Sequence, residues 1–154
     1  MSVELVKKYF ENTELEGKVL EFPTSSATVE LAADAVGTEP DRIAKTMAFL
    51  LGNEAIVIVV SGLSRIDNKK FKAQFHTKAK MIPFAAVEEY LGHPPGGVCP
   101  FALKEGVKVY LDVSLQVHET VFPAAGSENS AIETTIDQLE RFTSYKEWVD
   151  VCKK

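Results

Sequence analysis

Residues 93–101 read His-Pro-Pro-Gly-Gly-Val-Cys-Pro-Phe, which places two adjacent glycines, three prolines, a histidine and a cysteine in one short stretch. Gly96 and Gly97 carry no side chain over their peptide N–H groups and have access to backbone angles closed to other residues. Pro95 and Pro100 fix φ on either side. A rigid, exposed backbone of this kind presents amide donors to a substrate carbonyl, or to the oxyanion that forms when the carbonyl is attacked. One such donor typically contributes ~3 kcal/mol of transition-state stabilisation. Taken by itself, the same stretch also reads as a tight connector between a helix and a strand.

Other reactive types lie elsewhere. Cys99, with His93 or His118 as base, would be a thiol nucleophile if the fold brought them together; beside Val98 and Phe101 it reads first as a small buried hydrophobe. Lys45 stands where a short helix gives way to an apolar strand, a position suited to holding a phosphate or carboxylate as a point charge, or to a surface lysine snorkelling at a strand end. Residues 65–80 hold Arg65, Lys69, Lys70, Lys72, Lys78 and Lys80 against the single acid Asp67, which fits a local phosphate contact or a solvated helix face. Asn129 and Ser130 sit in a polar turn, and Asp112 closes a strand, where a structural role comes first.

These residues belong to a chain of 154 amino acids, 45% hydrophobic and 25% charged, which suits one ordinary globular domain spanning 1–154. The net charge of −5 argues against sequence-blind coating of nucleic acid. No apolar run approaches a membrane span, and the N-terminal Met1-Ser2-Val3-Glu4 lacks a signal-peptide pattern, so a cytoplasmic protein with reduced thiols is expected. Cys99 and Cys152 are not grouped with His76, His93 and His118 at metal-ligand spacing, so no metal site and no cofactor are expected.

The periodicity predicts a Ser2-capped helix burying Val3, Val6 and Phe10, a strand at 19–22, and a helix from about Thr28 to Gly37 burying Val29, Leu31, Ala32 and Val36. Pro40 opens a short helical turn ending before Lys45. Residues 47–51 and 55–60 read as two strands joined by a tight turn at Gly52-Asn53, apolar enough to form a sheet covered on both faces. A basic helix at 68–75, a strand at 79–82 and a helix at 84–91 follow. Strands are expected at 107–113, 119–122 and 131–134, and two helices with capping boxes at Thr135 and Ser144 finish the chain. The irregular mixture implies an α+β fold.

In this order and spacing the elements resemble the YbaK/EbsC family of trans-editing proteins, related to the insertion domain of bacterial prolyl-tRNA synthetase. The resemblance rests on the helix from Thr28 to Gly37, the Ile43-Ala44-Lys45-Thr46 step into a buried strand, and Val60-Ser61-Gly62 with its basic helix. The loop from Gly96 to Pro100, Tyr110-Leu111-Asp112 and the turn from Ala125 to Asn129 complete it. It implies a mixed, barrel-like sheet flanked by helices and a hydrolase that deacylates mischarged aminoacyl-tRNA by water attack on the ester. Lys45 would engage the 3′-terminal phosphate region, with Gly96, Gly97 and Pro100 forming the carbonyl-positioning loop. Thr28, Leu31, Met47, Ser61 and Asn129 would line the substrate pocket, and Arg65, Lys69, Lys70 and Lys72 would hold the acceptor stem. The implied partner is the mischarged tRNA acceptor end, with a synthetase as a second candidate; the amino acid and the oligomeric state are left open. Two alternatives remain: a non-catalytic module of the same fold that binds tRNA or a synthetase, and a thiol hydrolase using Cys99.

Overall fold

The computed structural model describes residues 2–26 and 28–153; Met1 lies outside them, as does Ala27 just before the Thr28 helix. Its centre is the most apolar part of the sequence, which doubles back at Gly52-Asn53 to pair β2 (Ile43–Leu51) with β3 (Glu54–Ser61) in antiparallel register from Ala44↔Ser61 to Leu51↔Glu54. Gly52 takes φ 62°, a left-handed turn conformation that favours glycine. Every β3 residue from Ala55 to Ser61 is buried. Alternation divides them: Ala55, Val57 and Val59 enter one core with Phe10, Leu91 and Phe101, while Ile56, Ile58 and Val60 enter another with Phe49, Phe71 and Val151. The expected doubly covered sheet is therefore present.

Around this pair the chain adds β5 (Lys108–Asp112) parallel to β3 and β6 (Thr120–Pro123) parallel to β2. β8 (Thr134–Thr135) and β9 (Glu147–Val149) close the two ends of a curled six-stranded sheet in the order β8-β6-β2-β3-β5-β9. Two small antiparallel pairs, β1 (Leu20–Glu21) with β7 (Ser130–Ala131) and β4 (Arg65–Ile66) with β10 (Cys152–Lys153), flank it. The helices α1 (Ser2–Tyr9), α2 (Val29–Val36), α3 (Asn68–Phe75), α4 (Val87–Leu91) and α5 (Ile136–Phe142) complete a mixed α+β fold. Among the described residues no helix is long and apolar enough to cross a membrane.

Local chemistry explains most boundaries. Thr28 caps α2 by accepting from the Leu31 amide, Asp67 caps α3 by accepting from Lys69 and Lys70, and Thr135 forms with Gln138 the reciprocal capping box that opens α5. Four expectations are corrected. Ser2 is the first residue of α1 rather than its cap, and its hydroxyl bonds His93 Nδ1. Residues 79–82 contribute only a bridge between Phe49 and Met81. The strand expected at 131–134 divides between β7 and β8. The last helix is absent: Ser144 takes φ 52°, Lys146 N–H donates to Val109 O at 2.7 Å, and Trp148 and Val149 pair with Leu111 and Asp112 as β9. A capping pattern before an aromatic and β-branched run loses there to strand pairing and burial.

Candidate functional site

Strand β2 is covered on its outer edge in two places with a gap between them. β6 covers Ile43 and Ala44; further on, Leu50 N–H donates to Lys80 O and Ala48 O accepts from Ile82 N–H. Since main-chain groups two residues apart face the same edge of a strand, those of Thr46 face the gap. Opposite stands a single helical turn, Pro95–Gly97. Its Gly96 amide has no acceptor among the described residues, as expected for a first-turn N–H, and Gly96 is exposed. Lys45, Thr46, Pro95, Gly96 and Val98 wall a cavity of about 120 Å³, which is completed by the cap Thr28, Val29 and Ala32 of α2, Phe122 of β6 and Ser130-Ala131 of β7. Thr46 Oγ1 is buried and has no hydrogen-bond partner among the described residues. A polar atom kept dry and unpaired is costly in a finished interior; Thr134 Oγ1 on β8 is in the same state, and of the two Thr46 is the one beside this cavity.

Lys45 Nζ donates to Ser64 O at 2.9 Å. Half-burial pushes its pKa below the ordinary lysine value, the nearby Arg65 guanidinium pushes the same way, and Cys152 and Glu30 oppose. Lys45 is therefore a cation held partly out of water, which an entering anion would stabilise.

The other end of the glycine loop is sealed. His93 and Cys99 are fully buried, with Cys99 Sγ 3.5 Å from His93 Nε2. The fold therefore brings together the two groups a thiol nucleophile needs. Their protons are in the wrong places. His93 Nε2 lies 2.6 Å from Phe101 O, which only accepts, so Nε2 carries the hydrogen, and the basic Nδ1 is turned to the Ser2 hydroxyl. Burial pushes the Cys99 thiol up to about 12 and the His93 imidazole down. A neutral thiol beside a donor-bearing nitrogen, with no path to solvent, performs no nucleophilic chemistry.

The glycines serve a purpose other than the one the sequence suggests. Neither Gly96 nor Gly97 has positive φ. A Cβ on Gly97 would lie 2.5 Å from Ser127 N and 2.6 Å from Gly126 C, and one on Gly96 would lie 3.1 Å from Glu128 Cβ. Close approach to the turn at 126–129 demands them. Gly97 N–H is spent on Pro94 O at 2.8 Å, which leaves Gly96 as the loop's exposed donor.

Of the other sequence-derived residues, Thr28 lines the small cavity, while Met47 lines an adjoining groove that shares Lys45, Thr46 and Gly96 with it. Pro100 is buried behind the loop. Leu31 is 45% exposed on α2, against the expectation of burial. Ser61 Oγ is bonded to Ser64 Oγ at 2.6 Å, beneath the Lys45 anchor. Asn129 ties its turn to β1, donating to Phe22 O and accepting from Ser127 Oγ, both at 2.9 Å. Arg65 lies near Lys45; Lys69 and Lys72 line a separate cleft with Lys78; Lys70 is turned onto Asp150 and Cys152 O. Asp112 is structural, with its two oxygens accepting from the Val151 and Ser114 amides at 2.9 Å.

Sequence reading missed Thr46 and the Val29-Ala32 wall. The i, i+3, i+4, i+7 stripe Val29, Ala32, Ala33, Val36 carried the second signal, because it leaves Leu31 outside the buried face.

Similarities to known proteins bear on this geometry. The chain is 49% identical over 154 residues to the uncharacterized protein YwhH of Bacillus subtilis (strain 168), covering 99% of this chain and 98% of that one. It is 33% identical over 98 residues to the proline–tRNA ligase of Staphylococcus aureus (strain Newman), a match to 63% of this chain and 17% of the ligase. Among solved structures it superposes, with a TM-score of 0.89, 28% identity and coverage of 99% and 98% of the two chains, on a protein provisionally assigned as a trans-editing enzyme for prolyl tRNA synthetase. The family model for the aminoacyl-tRNA editing domain matches residues 24–142, a span that contains the β2 gap, Lys45 and the glycine loop, and the chain belongs to that family.

Proposed function

We propose that this protein is a deacylase that hydrolyses the ester of a mischarged aminoacyl-tRNA. The observation that carries the reading is the shared cavity: Lys45, Thr46 and Gly96, whose amide has no acceptor among the described residues, line one small space. An aminoacyl ester is already electrophilic, because its α-ammonium and the neighbouring ribose hydroxyl withdraw charge from the carbonyl. Water adds to that carbonyl, the bond to the ribose oxygen breaks, and the proton leaves with that oxygen, giving free amino acid and uncharged tRNA. A held substrate and a fixed dipole supply much of such a rate without a strong base.

Gly96 N–H is the donor to the carbonyl oxygen in this scheme. Lys45, released from Ser64 O, meets the 3′-terminal phosphate together with Arg65. The amino-acid side chain enters the space between α2 and β6. At about 120 Å³ it is comparable to a cavity of about 150 Å³ that holds a benzene ring, so small and medium side chains fit and an indole does not. Editing of small side chains is where a second sieve is needed, since one methylene separates substrates only ~10- to 200-fold by binding.

The relatives named for proline–tRNA ligase and prolyl tRNA synthetase make tRNA for proline the carrier to test first. The assay charges that tRNA with a panel of noncognate amino acids and follows ester loss. Turnover by the wild type and its loss in Lys45→Ala are expected. Unchanged cleavage in Lys45→Ala would sink the mechanism, and no cleavage of any charged tRNA would leave a binding module.

A further inference from the structure

The small cavity opens across a shared wall of Lys45, Thr46, Pro95, Gly96 and Val98 into a second and larger one of about 640 Å³. We propose that this second cavity seats the adenine base of the tRNA's terminal nucleotide, stacked on Phe84 and Met81. The inference rests on the deacylase reading and adds a subsite to it.

An aminoacyl adenosine has two bulky ends joined at the ester. With the carbonyl at Gly96 on the shared wall, one end lies in each cavity. The smaller space cannot take a purine together with its ribose, so the base goes to the larger one. Its lining has the chemistry of a stacking platform. Met47, Met81, Ile82, Phe84 and Val87 present apolar surface, and the polar side chains, Lys45 and Thr46, lie at the shared wall. Such a surface binds the face of a base and reads none of its edges.

The rim is unusually apolar for solvent-facing backbone, with Phe84 79% exposed and Met81 58% exposed. It is also held in place. Lys80 O and Ile82 N–H are bonded to Leu50 and Ala48 on the β2 edge, and the Phe84–Ala86 turn runs directly into α4, whose Val87 and Leu91 are buried. Two large apolar side chains on an anchored segment, beside the Lys45 cation on the shared wall, fit a nucleotide better than either feature alone.

The test titrates 5′-AMP and, separately, ribose 5-phosphate into the protein and follows amide resonances. AMP is expected to shift residues 47 and 81–87, ribose 5-phosphate to shift neither, and Phe84→Ala to abolish the AMP response. In deacylation assays Phe84→Ala is expected to raise KM about ten-fold or more with kcat within about two-fold, the weight of one stacked base, and Phe84→Trp to restore KM. Because Phe84 is so exposed, both variants should melt like the wild type. Equal responses to AMP and ribose 5-phosphate, or a KM unmoved in Phe84→Ala, would overturn the subsite even if the wild type deacylates. Phe84-dependent AMP binding in a protein that deacylates nothing would uphold the subsite and remove the hydrolytic reading.

Discussion

The two ends of the loop at 93–101 contrast sharply. One end holds the residue types that chemistry textbooks call reactive, His93 and Cys99, packed out of contact with solvent and locked to Ser2 and Phe101. The other holds the Gly96 amide, without an acceptor among the described residues, on the wall of a small cavity that Lys45 also lines. Reactivity follows placement and not side-chain type. The sealed end has a use all the same: it fixes the loop to α1, so the open end is held still while it waits for a carbonyl.

Breaking the joint between the two ends is expected to have the largest effect. Gly97→Ala places a methyl 2.5 Å from Ser127 N, against backbone that has no rotamer with which to yield. A loss of about 3 kcal/mol of stability is expected, read as a lower urea midpoint, with deacylation lost because Gly96 is displaced. Lys45→Ala comes next and should act on chemistry alone. A fall of about 100-fold in kcat/KM, about 2.7 kcal/mol, is expected without a lower Tm, since relief of a half-buried cation offsets the lost hydrogen bond to Ser64 O. A Tm that falls with the activity would mean that the Ser64 anchor matters more to the fold than to the substrate.

Cys99→Ala tests the sealed end directly. About 1 kcal/mol of stability should go with the lost packing, while deacylation stays within about two-fold of wild type. With the thiol pushed up to about 12 and fully buried, iodoacetamide at pH 8 should leave Cys99 unlabelled in the native protein and label it after unfolding, as mass spectrometry will show. Labelling in the native state would return the thiol to consideration.

The same contrast explains what could be read in advance. The β2–β3 hairpin, the α3 helix and the Thr135 capping box were legible because each is written locally, in a long apolar run, a basic amphipathic stretch or a reciprocal hydrogen bond. The position of Lys45 at the start of a buried strand was legible for that reason too. β9 was not, since its pairing partner Leu111 lies 37 residues away and only the assembled sheet rewards strand over helix at Trp148. The reason for Gly97 was hidden likewise. Glycine suggests a special φ from sequence, whereas the cause here is the backbone at Ser127, which no local pattern announces. Leu31 was misplaced by a loose reading of the helical period, which taken strictly as i, i+3, i+4, i+7 from Val29 puts it outside.

The smallest effect expected at neutral pH belongs to His93, and its sign follows from its protons. Burial holds the native imidazole pKa below 6.5, and the bond to Phe101 O opposes that only in part. In the unfolded chain His93 titrates near 6.5, so on acidification the unfolded state takes up the proton first. Stability contributed by the neutral ring is complete above pH 6.5 and is lost as pH falls through 6.5 toward the lower native value, no faster than about 1.4 kcal/mol per pH unit. The cause is visible in the geometry: Nε2–H is committed to Phe101 O, so the added proton must go to Nδ1, where the Ser2 hydroxyl has to turn from donor to acceptor. His93→Gln removes the titration while keeping a polar group at the site. Urea unfolding of both proteins between pH 5 and 8 should show the wild type losing stability on acidification faster than the variant, with the gap opening only below pH 6.5. Parallel curves would mean that the sealed end tolerates a charge. The loop would then be held by packing around Phe101 alone, and the contrast with the open end would rest on access to solvent and not on protons.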